Sequence, residues 1–222
     1  CKGCVMSRFN IFTKIPTKPD FDKEIDKIYE LMVYKVKSQF QCLGTSCIEQ
    51  DFNQCFFEWP KRGTAVTFQE LMISLGIPLF IGARKTATED QFLDFLETIV
   101  NLVYFRKNTP PGIHSDLPRV YDRLIRQINA CLTGLNYKHS ALSDGRVILI
   151  PAEAELQVLA EDSPDISDLI LEYRDRKLSG DIEKKRNILG AIGRHIEPLL
   201  NDKKLKELMS TVVDDVGFAL NN

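Results

Sequence analysis

The chain has few of the residues and motifs that mark enzymes, membrane proteins or secreted proteins. It holds three histidines and one tryptophan, and it has no G-x-S-x-G, P-loop or G-x-G-x-x-G motif. No apolar run reaches the ~18–20 residues of a membrane-spanning helix, and Cys1–Asn10 lacks the apolar segment of a secretory signal. The formal net charge of -2 provides no general attraction to nucleic acid, so such a contact needs a local basic patch. We therefore expect a cytoplasmic protein that stays out of the membrane and needs no cofactor.

Six cysteines are present, but their spacing does not favour a metal site. Cys1 and Cys4 form a C-x-x-C pair, whereas Cys42, Cys47 and Cys55 are more loosely spaced. A structural zinc site needs two close pairs whose four ligands converge. Reduced cysteines are therefore the favoured interpretation, and no metal site is expected.

Apolar residues at three- and four-residue spacing, together with helix-capping residues, predict a mainly α protein. The predicted helix that opens at Thr88 is apolar nearly all round, which indicates a central position in the core. Capping boxes open this helix and the one before it, since each has a threonine followed three residues later by glutamate or glutamine. The predicted helices run from Asp20 to about Phe40, from Thr67 to about Gly76, from Thr88 to about Lys107 and from Pro118 to Gly134.

A change of pattern interrupts the helices near residues 137–150. Tyr137–Ala141 and Arg146–Ile150 flank Ser143-Asp144-Gly145, where glycine can adopt the positive φ of a tight turn. Helical patterning then resumes, with starts at Ser163, at Asp181 and at Asn201. The sequence thus predicts one short β-hairpin followed by three C-terminal helices.

These elements predict a compact multi-helix bundle in three parts. Residues 1–19 are expected to form an extended arm, and residues 20–135 a helical lobe. Residues 136–222 are expected to add the hairpin and a second helical lobe that shares the same core. Because the apolar pattern is unfinished at Phe218–Leu220, we expect the chain to be cut short at its C-terminal end.

Basic residues are concentrated between Arg174 and His195. If the two helices around Gly180 pack antiparallel, several of these cations project from one end, where they can hold phosphates. Arg174, Lys184 and Lys185 are the candidates for such a patch. Acidic residues lie among them, and Asp181 and Lys185 have the spacing of an ordinary surface pair. A solvated face without a ligand is therefore the favoured interpretation.

The hairpin LNYKHSALSDGRVILIP, the capped helices around LEYRDRKLSGDIEKKRNILGAIGRHIEPLL and the helical lobe before them resemble bacterial abortive-infection proteins of the HEPN type. The resemblance covers Tyr137 to Asn222. In that family an arginine and a histidine with four to six residues between them form a metal-independent RNase site, usually at a dimer interface. The resemblance therefore implies catalytic roles for Arg186, Arg194 and His195, RNA as a substrate and a homodimer. Eight residues separate Arg186 from His195, and none separates Arg194 from it, so both pairs depart from the family spacing.

Three functions follow from these observations. The first is a bacterial defence or stress protein that acts through RNA or protein contacts. The second is a metal-independent HEPN-type RNase that uses an Arg/His pair. The third is a helical protein–protein interaction module without catalysis, whose aromatic segment Phe52–Trp59 is exposed and docks a partner.

Overall fold

Helices make up most of the described structure. The computed structural model describes residues 19–37, 45–77, 79, 86–109, 117–152 and 164–200, the side chains of residues 37, 45, 164, 199 and 200 excepted. Within these ranges the prediction of a mainly α protein with a short β-hairpin is confirmed. The helices are α1 (Phe21–Val33), α2 (Ile48–Cys55), α3 (Phe68–Ser74), α4 (Glu89–Lys107), α5 (Leu117–Gly134), α6 (Ser167–Tyr173) and α7 (Ile182–Leu200).

Two antiparallel pairs of strands accompany the helices. Strand β3 (Tyr137–Ala141) pairs with β4 (Val147–Pro151), which confirms the predicted hairpin, and Gly145 in its turn has a φ of +79°. Strand β1 (Val36–Lys37) pairs with β2 (Thr45–Ser46), and this short ladder was not predicted. None of the described helices has both the length and the apolar character that crossing a bilayer requires.

Two predicted elements lie wholly or almost wholly outside the residues that the structure describes. The arm at residues 1–19 lies outside the described residues except for Pro19, and so does the helix predicted to start at Asn201. The division into lobes at 20–135 and 136–222 stays a prediction.

Helix α4 packs at the heart of the larger apolar cluster, where its pattern predicts it. It contacts α1, α2, α5 and β4. The capping box that opens it is complete, because Thr88 Oγ1 accepts a hydrogen bond from the Gln91 N–H at 3.2 Å and Gln91 Oε1 accepts one from the Thr88 N–H at 3.0 Å. Its buried apolar side chains are Phe92, Leu93, Phe95, Leu96, Ile99, Val100, Leu102 and Val103.

Helix α1 begins as predicted and ends earlier. Asp20 Oδ1 accepts a hydrogen bond from the Lys23 N–H at 3.2 Å, so Asp20 is the N-cap. The predicted extension to about Phe40 is wrong, because α1 ends at Val33 and Val36 lies opposite Ser46 in the β1–β2 ladder. The backbone groups after the helix thus bond across strands instead of along a helix.

Strand β4 is buried on both faces. Its residues alternate between two clusters, since successive side chains of a strand point to opposite sides. Val147 and Leu149 belong to the larger cluster. Ile148 and Ile150 belong to a smaller cluster, which also contains Leu142, Ile170 and Leu171. The strand therefore connects the helices of the larger cluster with α6.

Asn101 of α4 holds the beginning of β4. Its side-chain amide donates to the carbonyl oxygen of Val147 at 2.7 Å, and its Oδ1 accepts from the Val147 N–H at 3.0 Å. At the hairpin turn, the Ser143 N–H donates to Asp168 of α6 at 3.0 Å, and Arg146 forms ion pairs with Asp144 and Glu172. The turn end of the hairpin is thus fixed to both α4 and α6.

Candidate phosphate-binding pocket

A pocket of about 590 Å³ lies where the segment between α6 and α7 meets α4 and the end of the hairpin. Tyr137 and Pro151, which face each other across the β3–β4 ladder, form part of its wall, and Ser179 lines it as well. The remaining lining combines four cationic and two acidic side chains: Arg174, Arg176, Lys177, Lys185, Asp90 and Asp175.

The local sequence after α6 brings these cations together. The Asp175 carboxylate accepts a hydrogen bond from the Lys177 N–H at 3.0 Å and so caps a single 3-10 turn, Arg176–Leu178. Gly180 then adopts a φ of +99°, which favours glycine over other residues. Asp181 accepts from the Lys184 N–H at 3.0 Å and starts α7. The turn and the first turn of α7 therefore face the same cavity.

Carboxylates of α4 form ion pairs with two of the four cations. Asp90, Asp94 and Glu97 lie on one face of α4 because they are four and three residues apart. Arg176 Nη1 lies 3.4 Å from Asp90 Oδ1, and Arg176 Nη2 bonds to Asp94. Lys177 Nζ donates to Glu97 Oε1 at 2.5 Å. The positive charge of Arg176 and Lys177 is thus largely balanced within the protein.

Burial sets the protonation of Glu97. Its carboxyl group is buried beside the pocket, and this burial raises its pKa above the ordinary range, although the Lys177 ammonium acts in the opposite direction. Glu97 therefore gains a proton at a higher pH than an ordinary glutamate does.

Lys185 differs from the neighbouring Lys184. The Lys185 ammonium lies 5.1 Å from the centre of the Tyr173 ring, and within the described part of the chain no carboxylate pairs with it. Lys184 lies outside the pocket and pairs with Asp181 at 3.5 Å. Of the three residues predicted to form a phosphate patch, Arg174 and Lys185 line the pocket and Lys184 does not. The surface pair expected between Asp181 and Lys185 is formed by Lys184 instead.

The structure does not bring Arg186, Arg194 and His195 into the pocket. All three are exposed on α7. Arg186 and His195 are nine residues apart on one helix, which places them on opposite faces and about 13 Å apart along the axis. Arg194 and His195 are adjacent, and their directions differ by about 100°. Within one chain, only the pair Arg194 and His195 is close enough to act on one ligand.

A second ionic cluster lies in the larger core. Arg106 of α4 makes two hydrogen bonds to Asp51, from Nε and Nη2, each at 2.9 Å. The Tyr121 hydroxyl donates to the same carboxylate at 2.6 Å, and burial raises the pKa of this hydroxyl, which keeps it protonated. Asp51 is 2% exposed and Arg106 is 5% exposed. This cluster joins α2, α4 and α5 and offers no access to a ligand.

The aromatic segment expected to dock a partner is mostly inside the protein. Phe52 and Phe56 are fully buried, and Trp59 is buried as well. Phe57 alone among the four aromatic residues is exposed, at 69%, and the Arg62 guanidinium lies 4.5 Å from its ring centre. The expectation of an exposed aromatic segment is therefore wrong.

Sequence reasoning missed the acidic side of the pocket. Asp90, Asp94 and Glu97 lie on a helix whose other positions are mostly apolar, so their shared face was a usable signal for an ionic contact. The position of Tyr137 at the pocket depends on how the hairpin packs, and no local pattern encodes it.

The described residues hold no group of three or more histidine, cysteine or acidic side chains arranged to bind a metal ion. Cys47, Cys55 and Cys131 are free thiols. Burial raises the pKa of the Cys131 thiol to about 11, so this thiol is protonated at neutral pH.

The chain was compared with family models, with curated proteins and with solved structures, and none of the three comparisons finds a match. The resemblance to HEPN-type proteins therefore depends on the sequence pattern alone.

Proposed function

We propose that this protein binds RNA through the pocket and that Lys185 and Arg174 contact the phosphates. Lys185 is the observation that carries the proposal. Its ammonium lines the cavity, lies over an aromatic ring and is paired with no carboxylate in the described part of the chain. A cation in this position has its charge available for an anion from solution.

The mixture of side chains in the pocket favours nucleic acid over a simple anion. Proteins that bind single-stranded RNA combine cations along the backbone with aromatic rings on which bases stack. The pocket holds both, with Tyr137 on one wall and the cations of the 3-10 turn and of α7 on the other sides. Since the whole chain carries a net charge of -2, attraction of RNA has to come from this local cluster.

Binding of a labelled single-stranded RNA, followed by fluorescence anisotropy at several salt concentrations, tests the proposal. Lys185→Ala removes one phosphate contact, so it should weaken binding and reduce the slope of log K against log salt by about 0.7. Lys184→Ala is the matched control, because it removes a neighbouring lysine that lies outside the pocket. It should leave both the affinity and the slope nearly unchanged.

Two outcomes would contradict RNA binding at this pocket. The first is an absence of measurable RNA binding by the unaltered protein. The second is an equal loss of affinity in Lys184→Ala and Lys185→Ala, which would assign binding to the general surface of α7.

Cleavage of the bound RNA is a second candidate function, favoured by the exposure of Arg194 and His195 side by side on α7. Lys185 and His195 lie about 15 Å apart along the helix axis, so a strand held in the pocket can extend toward both. Incubation of RNA with the protein and with His195→Ala distinguishes binding from cleavage, since a catalytic histidine predicts loss of cleavage with retained binding. A role in bacterial defence or stress belongs to this proposal and depends on the family resemblance alone.

A further inference from the structure

We infer that the pocket receives the phosphorylated end of an RNA strand and that its terminal phosphate takes the place of Asp90 beside Arg176. This inference rests on the RNA binding proposed above. It specifies which part of the RNA enters the pocket and which side chain yields to it.

The shape of the site favours an end over an internal segment. Its volume of about 590 Å³ falls in the range of ~300–1,000 Å³ that is typical of pockets for small molecules. The lining comes from α4, from both strands of the hairpin, from the 3-10 turn and from α7, so elements distant in the sequence border a single space. A continuous strand is instead held along a groove.

Arg176 offers one exchangeable bonding position. Its Nη2 is held by Asp94, which is not part of the pocket lining, and its side chain is 11% exposed. Its Nη1 faces Asp90 at 3.4 Å, inside the lining, and the Asp90 side chain is 86% exposed. The arginine is therefore fixed, whereas the Asp90 carboxylate can move into solvent when another anion arrives.

The charge of the incoming anion decides whether its replacement of Asp90 strengthens binding at Arg176. An internal phosphodiester carries one negative charge, as Asp90 does, so replacing the carboxylate with it adds little at Arg176. A terminal phosphate carries a charge of about -1.5 to -2 at neutral pH. It can satisfy Arg176 and the Lys185 ammonium, which line the same cavity, at the same time.

The apolar wall suits the nucleoside attached to that phosphate. Tyr137 and Pro151 face each other across the ladder, and Tyr137 also packs against the larger core cluster, which holds its ring in place. A base that stacks on an aromatic side chain contributes about 1–3 kcal/mol whatever its identity. The pocket thus combines one ring surface with one phosphate position.

The test compares short RNA strands of one sequence that carry a 5′-phosphate, a 3′-phosphate or hydroxyl groups at both ends. Anisotropy with the full chain should show roughly tenfold tighter binding of one phosphorylated strand than of the hydroxyl-ended strand. In Asp90→Asn, the affinity for that phosphorylated strand should rise about twofold to fivefold, because a surface carboxylate no longer competes for Arg176.

The outcomes separate this inference from the function on which it depends. Equal affinity for all three strands, with binding still sensitive to Lys185→Ala, overturns recognition of the end and leaves RNA binding at the pocket standing. An unchanged or lower affinity in Asp90→Asn overturns the exchange at Arg176. No binding of any strand by the unaltered protein overturns both proposals.

Discussion

Helix α4 carries two ionic clusters, one near each end, and they differ in their access to water. Arg106, near the C-terminal end, is enclosed with Asp51 and Tyr121. Asp90, in the first turn, is 86% exposed and faces Arg176 at the edge of the pocket. The two positions are sixteen residues apart, or about 24 Å along the helix axis.

Burial gives the two clusters different roles. Charges inside a protein are tolerated only when partners satisfy them, and removing one partner leaves the other as an uncompensated buried charge. An exposed pair exchanges readily with water, salt or another anion. The Asp51–Arg106–Tyr121 cluster therefore stabilises the packing of three helices, whereas the cluster at the pocket can take part in binding.

Asp51→Asn should have the largest effect on stability. The substitution keeps the size of the side chain but removes the charge that balances the Arg106 guanidinium. We expect the free energy of unfolding to fall by about 3–5 kcal/mol, as measured by urea denaturation monitored by circular dichroism.

Replacing both partners provides the control for this prediction. Asp51→Leu combined with Arg106→Met leaves no buried charge, so it should destabilise the protein less than Asp51→Asn alone. A shift in the urea midpoint no larger than that of an exposed substitution would contradict the stabilising role of the buried cluster.

Glu97→Gln should have an intermediate effect that depends on pH. Burial raises the pKa of Glu97 in the folded protein, so the folded state keeps a proton that the unfolded chain releases as the pH rises. The contribution of this group to stability is thus full below the ordinary carboxyl range and is lost as the pH rises through the raised pKa. Glutamine does not titrate, so the variant should lack this loss.

Urea denaturation of the wild type and of Glu97→Gln measures the difference. The pH should run from about 3 to about 8, a range that extends about a unit or more beyond the ordinary carboxyl and histidine pKa values on either side. The stability of the wild type relative to the variant should decline as the pH rises. A difference that stays constant, or that changes in the opposite direction, contradicts the raised pKa.

Asp90→Asn should have the smallest effect on stability, although it makes the same chemical change as Asp51→Asn. Because the Asp90 side chain is largely in solvent, we expect the unfolding free energy to change by no more than about 0.5 kcal/mol. Urea denaturation of the two variants side by side tests the comparison directly. A loss similar to that in Asp51→Asn would mean that the pocket cluster holds the fold together.

Local signals predicted much of the fold. The caps at Asp20 and Thr88 and the turn glycine at Gly145 depend on neighbouring residues only, so the sequence could show them. The end of α1 was missed because pairing of Val36 with Ser46 overrides the helical pattern. The spacing of apolar residues in the two segments does not predict that pairing.

The candidate site was harder to predict because its parts are distant in sequence. Arg174 and Lys185 were found from the concentration of charge between two helices. Asp90 and Tyr137 reach the pocket only after α4 and the hairpin have packed together. The buried pair of Asp51 and Arg106 joins residues 55 positions apart, and no spacing rule connects them.

The double-sided burial of β4 raises the question of what sets its register. A slip of one residue moves every side chain of a strand to the opposite face. In most half-exposed strands such a slip is penalised by exposing apolar groups, but here Val147 to Ile150 are apolar on both faces. Hydrophobicity alone does not reject the slipped pairing. The charged side chain of Arg146 does, because a slip of one residue would turn it away from Glu172 and toward the larger apolar cluster, so a single ion pair beside the strand selects among alignments that the core would otherwise accept.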